Sequence, residues 1–417
     1  MSADHTPAVL LAGDRPGTGR NRPGVGFWLI AAVFCAAMAF STVPAPLYPL
    51  YQRRDGFSAF TVTVVFAVYA VGVVASLLLA GHVSDWAGRR KVLVPALAIA
   101  AASAVVFLVW PALPGLLVGR FLNGLAIGMI TATATAHLHE LHAASRPDAG
   151  PARFEAVSTA ANIGGLGVGS LVAGFLAQFV PAPLSTPYIV FAVALLLAIG
   201  AVWLTPETVD TPAERPRYRP QRISAPGGDR LSYLVAAGCA FAAFAIFGLS
   251  TSLAPGFVAG TLHHPSRLLA GVVIFLVFGA AAAAQTVTNR MGLTGRLGLG
   301  LPVMAAGLIV FAAGMHQASL AAFLIGGTLA GAGAGVLFKS AVGTVAAQAA
   351  DEVRGEALAG LFLIAYTGII VPTVGLGIAT RYTSPVTAML WFAGILLVLL
   401  AAIAALAATA ARRRARA

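Results

Sequence analysis

Two cations stand inside runs of residues that otherwise belong in hydrocarbon. Arg120 lies within 114–136, and Lys339 lies near the inner end of 319–345. Moving such a charge out of water is costly, so it either faces a wet interior, where it can hold an anion, or snorkels to the headgroups. Arg120 reads as an interior coupling or substrate group, with Asn123 one turn on. Lys339 suits pathway lining and snorkelling equally. The acids follow the opposite pattern: none of the 14 carboxylates, and none of the 8 histidines, falls in the middle of an apolar run. Binding a hydrophobic cation across a membrane calls for a buried negative charge, and coupling to protons calls for a titratable group within reach. Only Asp85 and Glu140, at the ends of runs, come near. The ligand expected is therefore neutral or anionic, and a proton route would pass through the Asp85/Glu140 region or through the ligand itself.

Other clusters carry less chemistry. His137, His139, His142 and Glu140 crowd one stretch, but their spacing does not place three ligands on one helix face, so no metal is expected. His263 and His264 read as loop residues. No nucleophile–base pair or metal triad is visible, which argues against an enzyme, and no cofactor is implied. Cys35 and Cys239 sit in apolar runs and read as small core residues. The formal net charge of +12 could suggest nucleic acid. The basic residues, however, occupy the gaps between apolar runs, where attraction to anionic lipid explains them, and nucleic acid is excluded as a partner.

The elements that must position these residues follow from hydropathy. The chain is 59% hydrophobic and 10% charged, a balance for a hydrocarbon solvent. Crossing a ~30 Å layer takes about 20 helical residues. Twelve such runs occur, near 27–50, 59–80, 92–111, 114–136, 157–180, 187–204, 232–256, 267–288, 298–316, 319–345, 357–380 and 386–410. Backbone groups in lipid must be satisfied internally, which makes these runs helices, and the alternating pattern of a barrel is absent. The first run is too long for a signal-peptide core and lacks a clean cleavage site, so it reads as an uncleaved helix. With the N-terminus in the cytoplasm, 20 of the 26 basic residues fall on the inner side and four (Arg53, Arg54, Arg267, Arg381) on the outer. The cell membrane, with both termini cytoplasmic, is the expected location.

The two halves echo each other at offsets of 201 to 209 residues. Ser41-Thr42-Val43-Pro44-Ala45-Pro46 meets Ser250-Thr251-Ser252-Leu253-Ala254-Pro255. Val83–Gly88 meets Val287–Gly292, Gly124 and Gly128 meet Gly327 and Gly331, and Arg153-Phe154-Glu155-Ala156 meets Arg354-Gly355-Glu356-Ala357. Four matches in order argue for a six-plus-six repeat, the architecture in which two similar bundles rock about a central site. The expected organisation is a cytoplasmic tail over 1–26, disordered through residue 20, a six-helix bundle over 27–205, and a Pro- and Arg-rich cytoplasmic linker over 206–231. A second bundle then spans 232–410, and a basic cytoplasmic tail 411–417.

The loop after the second run reads Gly81-His82-Val83-Ser84-Asp85-Trp86-Ala87-Gly88-Arg89-Arg90-Lys91. It resembles the G-x-x-x-D-R-x-G-R-R signature of the major facilitator superfamily, with Trp86 where that family usually has Arg. Arg120, Gly124 and Gly128 are similar to the family's second motif. Gly165-x-x-x-Gly169-Ser170-x-x-Ala173-Gly174 resembles the G-x-x-x-G-P-x-x-G-G motif of its antiporters, with Ser170 for Pro and Ala173 for Gly. Small residues that permit close helix packing explain those glycines equally well. Together with the runs and the repeat, the resemblance covers about 27–410.

In the first signature, Gly81 and Gly88 let two helices turn and approach. A carboxylate at Asp85 can meet a helix N-terminus, and Arg89 or Arg90 can reach an acid across the bundle. The resemblance implies that this loop latches the cytoplasmic side in the outward-open state. Asp85 would meet the helix starting near Ala357, and Glu140 would pair with Arg89. It also implies a cavity lined by the first, fourth, seventh and tenth helices, on which Ser41, Thr42, Thr131, Ser250, Thr251 and Ser252 lie. Those hydroxyls suit either a polar substrate or bonds back to their own helices. The expected protein is an all-α, twelve-helix monomer that exports a small organic molecule in exchange for protons. Uptake or uniport of a metabolite or organic anion is the alternative, and a channel or membrane enzyme a remote one.

Overall fold

The computed structural model describes residues 23–209, 218–224, 228–350 and 353–414. The expected tail through residue 22, the middle of the linker, Asp351, Glu352 and the last three residues lie outside the described residues.

Twelve helices are long and apolar enough to cross a membrane. They are α1 (Pro23–Asp55), α2 (Ala59–Ala80), α3 (Arg89–Val109), α4 (Leu113–Ser145), α5 (Ala152–Phe179), α6 (Thr186–Trp203), α7 (Arg230–Ser252), α8 (Arg267–Arg290), α9 (Leu293–His316), α10 (Leu320–Gln348), α11 (Arg354–Ala379) and α12 (Pro385–Arg413). Several carry side-chain caps: Ser58, Ser266 and Ser319 each accept a bond from the backbone N–H three residues on, meeting a donor that the helix start leaves unpaired. Two helices run past their apolar stretch. Helix α4 continues to Ser145, because His137 and Leu141 are buried below the apolar run. Helix α12 runs through Arg413, so the basic tail expected from 411 begins inside it.

Helices α1 to α6 pack into one bundle and α7 to α12 into another, and the bundles meet along α5–α8 and α2–α11. The repeat is visible in the packing. Gly124 of α4 approaches Gly72 and Val73 of α2 so closely that a Cβ would lie 3.0 Å from backbone atoms, and Gly331 of α10 sits in the same way against Val277 of α8. The Pro-containing segments also match: the α1 helix gives way to a 3-10 turn at Ala45–Leu47, and α7 ends at Ser252 before a short helix, Ala254–Gly260. Proline supplies no N–H to continue an α-helical ladder, which breaks both helices at the same depth.

With an even number of spans, both ends of the described chain lie on one face, the terminal face. Arg153 at the start of α5 stacks on Phe27 and Trp28 at the start of α1 there. The side chains turned away from the bundles are large and apolar, Leu197 and Ile395 among them, each 71% exposed. That surface suits hydrocarbon.

Candidate functional site

Two connected cavities run between the bundles. The wider, about 570 Å³, occupies the terminal-face half and reaches Glu155, Asn289, Arg296 and Lys339. The narrower, about 100 Å³, lies deeper, against Ser41, Thr42, Arg120 and Thr251. Thr131, Asn162, Phe338 and Tyr366 line both. On the opposite side the bundles close on each other: Gly377 of α11 lies against the Thr63 side chain of α2, Gly271 of α8 lies against Ser170 of α5, and the Arg381 guanidinium sits 3.9 Å from the centre of the Phe60 ring. The structure is therefore open toward the terminal face. The lining draws on α2, α5, α8 and α11 as well as the four helices expected. In α5 a π-helical turn at Ala160–Gly164 brings Asn162 and Ile163 to the passage, an irregularity often found at functional sites.

Arg120 is 1% exposed. Its Nε and Nη2 both donate to the Tyr48 hydroxyl, its Nη1 donates to the Ser41 carbonyl at 2.8 Å, and the faces of Tyr48, Phe66 and Tyr69 lie 5.3 to 5.6 Å from its carbon. Among the described residues no carboxylate pairs with it. A guanidinium carries five N–H donors, and these contacts use three. That leaves one N–H on each terminal nitrogen outside these contacts, on a side chain that lines the narrow cavity.

The hydroxyls bond mainly to their own helices. Ser41 donates to the Met38 carbonyl, Ser250 to Ile246, Thr251 to Phe247 and Ser252 to Gly248. Thr42 also reaches Leu166 of α5 at 2.7 Å. Ser41, Thr42, Thr131 and Thr251 face the cavities; Ser250 and Ser252 lie off them. Asn123 is wholly buried away from the passage, and neither of its amide atoms has a hydrogen-bond partner.

Lys339 does not reach out to headgroups. Its ammonium donates to Asn289 Oδ1 at 2.7 Å and to the Gln285 carbonyl at 3.1 Å, both on α8, and lies 3.5 Å from Glu155 Oε2 on α5. That ion pair joins the two bundles inside the wider cavity. Glu155 thus lines the passage, an acid that the sequence does not single out beside Asp85 and Glu140. The signal was in the Arg153–Ala156 repeat. The acid looked peripheral because α5 begins at Ala152, ahead of the apolar run that starts near 157.

The signature loop departs from expectation at one contact. Arg89 pairs with Glu140 at 2.6 Å, as expected, and also with Asp85 at 2.5 Å. Asp85 does not reach the start of α11. The linker lies there instead, with the Gln221 N–H donating to the Leu78 carbonyl at 2.7 Å and Ser224 next to the Glu356 carbonyl. A different acid caps a helix here: Glu207 accepts from the Arg89 and Arg90 backbone N–H groups at 2.8 and 3.0 Å, at the positive end of α3. Gly88, at φ +104°, allows Glu207 to lie against it, whereas Gly81 is ordinary right-handed helix. Glu207→Gln weakens a charge–dipole contact worth about 0.3–1 kcal/mol, so thermal unfolding in detergent should shift down by no more than a few degrees. A collapse in expression would show a larger structural role.

In α5, Gly165 and Gly169 press on Cys35, Met38 and Ala39 of α1, while Gly174 meets Arg267 and Gly271 of α8 in the other bundle. Ser170 donates to Gly167 and lies 3.3 Å from the Gly271 carbonyl.

Twelve spans in two matched bundles, with a mid-membrane passage sealed on one side, define a secondary transporter of the rocking type. The family model for the Major Facilitator Superfamily matches residues 29–292, and the chain belongs to that family. Solved structures share the fold. The human organic anion transporter MFSD10 (TETRAN) is 18% identical with a TM-score of 0.64, covering 91% of this chain and 99% of its own. A point mutant of the nucleoside transporter NupG is 13% identical with a TM-score of 0.68, covering 92% and 99%. No curated protein sequence matches the chain significantly.

Proposed function

We propose that this transporter carries a small organic anion together with a proton across the cell membrane, with the terminal face in the cytoplasm. The observation that carries the reading is Arg120, a buried cation in the passage with no acid beside it among the described residues. A charge held in a low-dielectric site without a partner favours whichever ligand completes the pair. MFSD10 is described as an organic anion transporter; the reading here rests on Arg120 and not on that likeness. The bias of basic residues toward the terminal face supports a cytoplasmic assignment.

The sign of coupling follows from Lys339 and Glu155. An anion entering past Lys339 on its way to Arg120 competes with Glu155 for the ammonium and leaves that carboxylate short of its counter-charge, with Arg296 the other cation in that cavity. A proton then neutralises it most cheaply. Anion and proton therefore bind together. In proteoliposomes carrying a pH-sensitive dye, substrate entry should acidify the lumen, and Glu155→Gln should keep substrate exchange while removing proton movement. Undiminished acidification in Glu155→Gln would sink the assignment of the proton site. Export by proton antiport is the second reading, favoured by the Gly165–Gly174 stripe. It requires the opposite sign, with the lumen turning alkaline as substrate enters.

A further inference from the structure

Four rings from the second bundle form one connected wall. Phe244 of α7 lies 4.9 Å from Phe338 of α10 and 5.3 Å from Tyr366 of α11, and Phe338 lies 5.9 Å from Phe362, centroid to centroid. All four line the narrow cavity, and three of them continue into the wide one. None is fully buried, although residues around them such as Leu337 and Ala365 are completely covered. Aromatic faces are thus left open toward a cavity at the centre of the protein. The facing wall, from the first bundle, holds the cavity's cation and most of its polar groups, Arg120, Ser41, Thr42, Thr131 and Asn162, among apolar residues such as Met38 and Leu166.

The charges of the passage point one way. Among the described residues that line the two cavities, the ionisable side chains of fixed sign are Arg120, Arg296 and Lys339 against Glu155, a formal surplus of positive charge that repels an organic cation. Size adds a constraint. About 100 Å³ beside Arg120 admits a small anionic head and little else, while the junction with the 570 Å³ cavity has room for a flat body.

Resting on the proposed anion transport, we infer that the substrate is an aromatic monoanion: a carboxylate-like group on Arg120, joined to a single ring that packs on Phe244, Phe338, Phe362 and Tyr366. Each bundle then grips one end of the molecule, so binding links the two halves that must move.

The test uses the purified full chain in lipid nanodiscs and four probes of one shape: phenylacetate, phenylacetamide, phenethylamine and cyclohexylacetate, followed by titration calorimetry. Phenylacetate should bind at least about tenfold more tightly than the neutral amide, the scale of one hydrogen bond to a charged group. Phenethylamine should bind weakest. The saturated acid should lose roughly 3- to 10-fold, the scale of ring-on-ring contact beyond area. Phe338→Leu should erase the preference for the aromatic ring and leave the preference of acid over amide. The inference is overturned if phenylacetate fails to bind, or if the amide or the saturated acid binds equally well. Counterflow in proteoliposomes separates the two readings. Phenylacetate bound but never exchanged would end the carrier reading and leave the site. Exchange of an aliphatic anion with which phenylacetate does not compete would end this inference and leave the carrier.

Discussion

Arg120→Gln is expected to reduce anion transport on the order of 100-fold or more while leaving the protein folded. The two effects separate because the arginine's contacts differ in kind. Toward the protein it makes hydrogen bonds to Tyr48 and Ser41 and lies among three aromatic faces, and a glutamine amide can keep at least one of those bonds. Removing a buried charge that lacks an acid also removes its desolvation cost, so stability should hold or rise slightly. Toward a bound anion the guanidinium offers two free N–H groups, each worth about 1.5–3 kcal/mol when the partner is charged, and glutamine restores neither the charge nor the fork. Arg120→Lys keeps the charge and loses the fork geometry. It should fall between the two, with a loss of roughly tenfold. Thermal unfolding in detergent, read beside substrate counterflow, checks both halves of the claim. If Arg120→Gln unfolds readily, or transports normally, the arginine is structural and the anion reading loses its support.

Much of this was legible in the sequence, and the reasons differ by residue. Hydrocarbon imposes a strong rule on composition, so the twelve spans follow from hydropathy alone. Arg120 was legible for the same reason, as an exception too costly to be accidental. The Arg89–Glu140 pair followed from matching a cation to the nearest acid across the bundle. Three features were not legible. Glu155 sits in a first helical turn outside the apolar run, and only tertiary packing shows that α5 tilts this turn into the passage against Lys339. The aromatic wall is spread over α7, α10 and α11, and a Phe in a membrane helix gives no sign of which way it faces. The Asp85 contact was the third: its carboxylate turns to Arg89 four residues on, a choice of partner that the loop's spacing leaves open. Asn123 marks the opposite error: a polar residue near Arg120 that the fold buries away from the cavity.

The glycine stripe of α5 lends itself to a sharper test than its motif resemblance does, because its residues serve two different contacts. A Cβ at Gly169 would collide with the Ala39 backbone of α1, inside the first bundle. Backbone cannot move aside without shifting a helix, so Gly169→Ala should destabilise the fold by about 1–3 kcal/mol, the usual scale of overpacking. Gly169→Leu should abolish a folded product. At Gly174 the added Cβ would lie 2.6 Å from the Arg267 carbonyl and 3.2 Å from the Gly271 Cα, both on α8 of the other bundle. That contact lies between the bodies that must move past one another. Gly174→Ala should therefore wedge α5 from α8, slowing exchange by tenfold or more, on the order of 1.4 kcal/mol in a barrier, with each bundle still intact. Because that contact closes the far side of the terminal-face-open state, the wedge should also lower the share of molecules open to the terminal face. Measured together, unfolding temperature should respond chiefly to Gly169→Ala and exchange rate chiefly to Gly174→Ala. Equal effects of both substitutions on both measurements would mean that the stripe is packing alone and that α5–α8 is not the surface on which the halves rock.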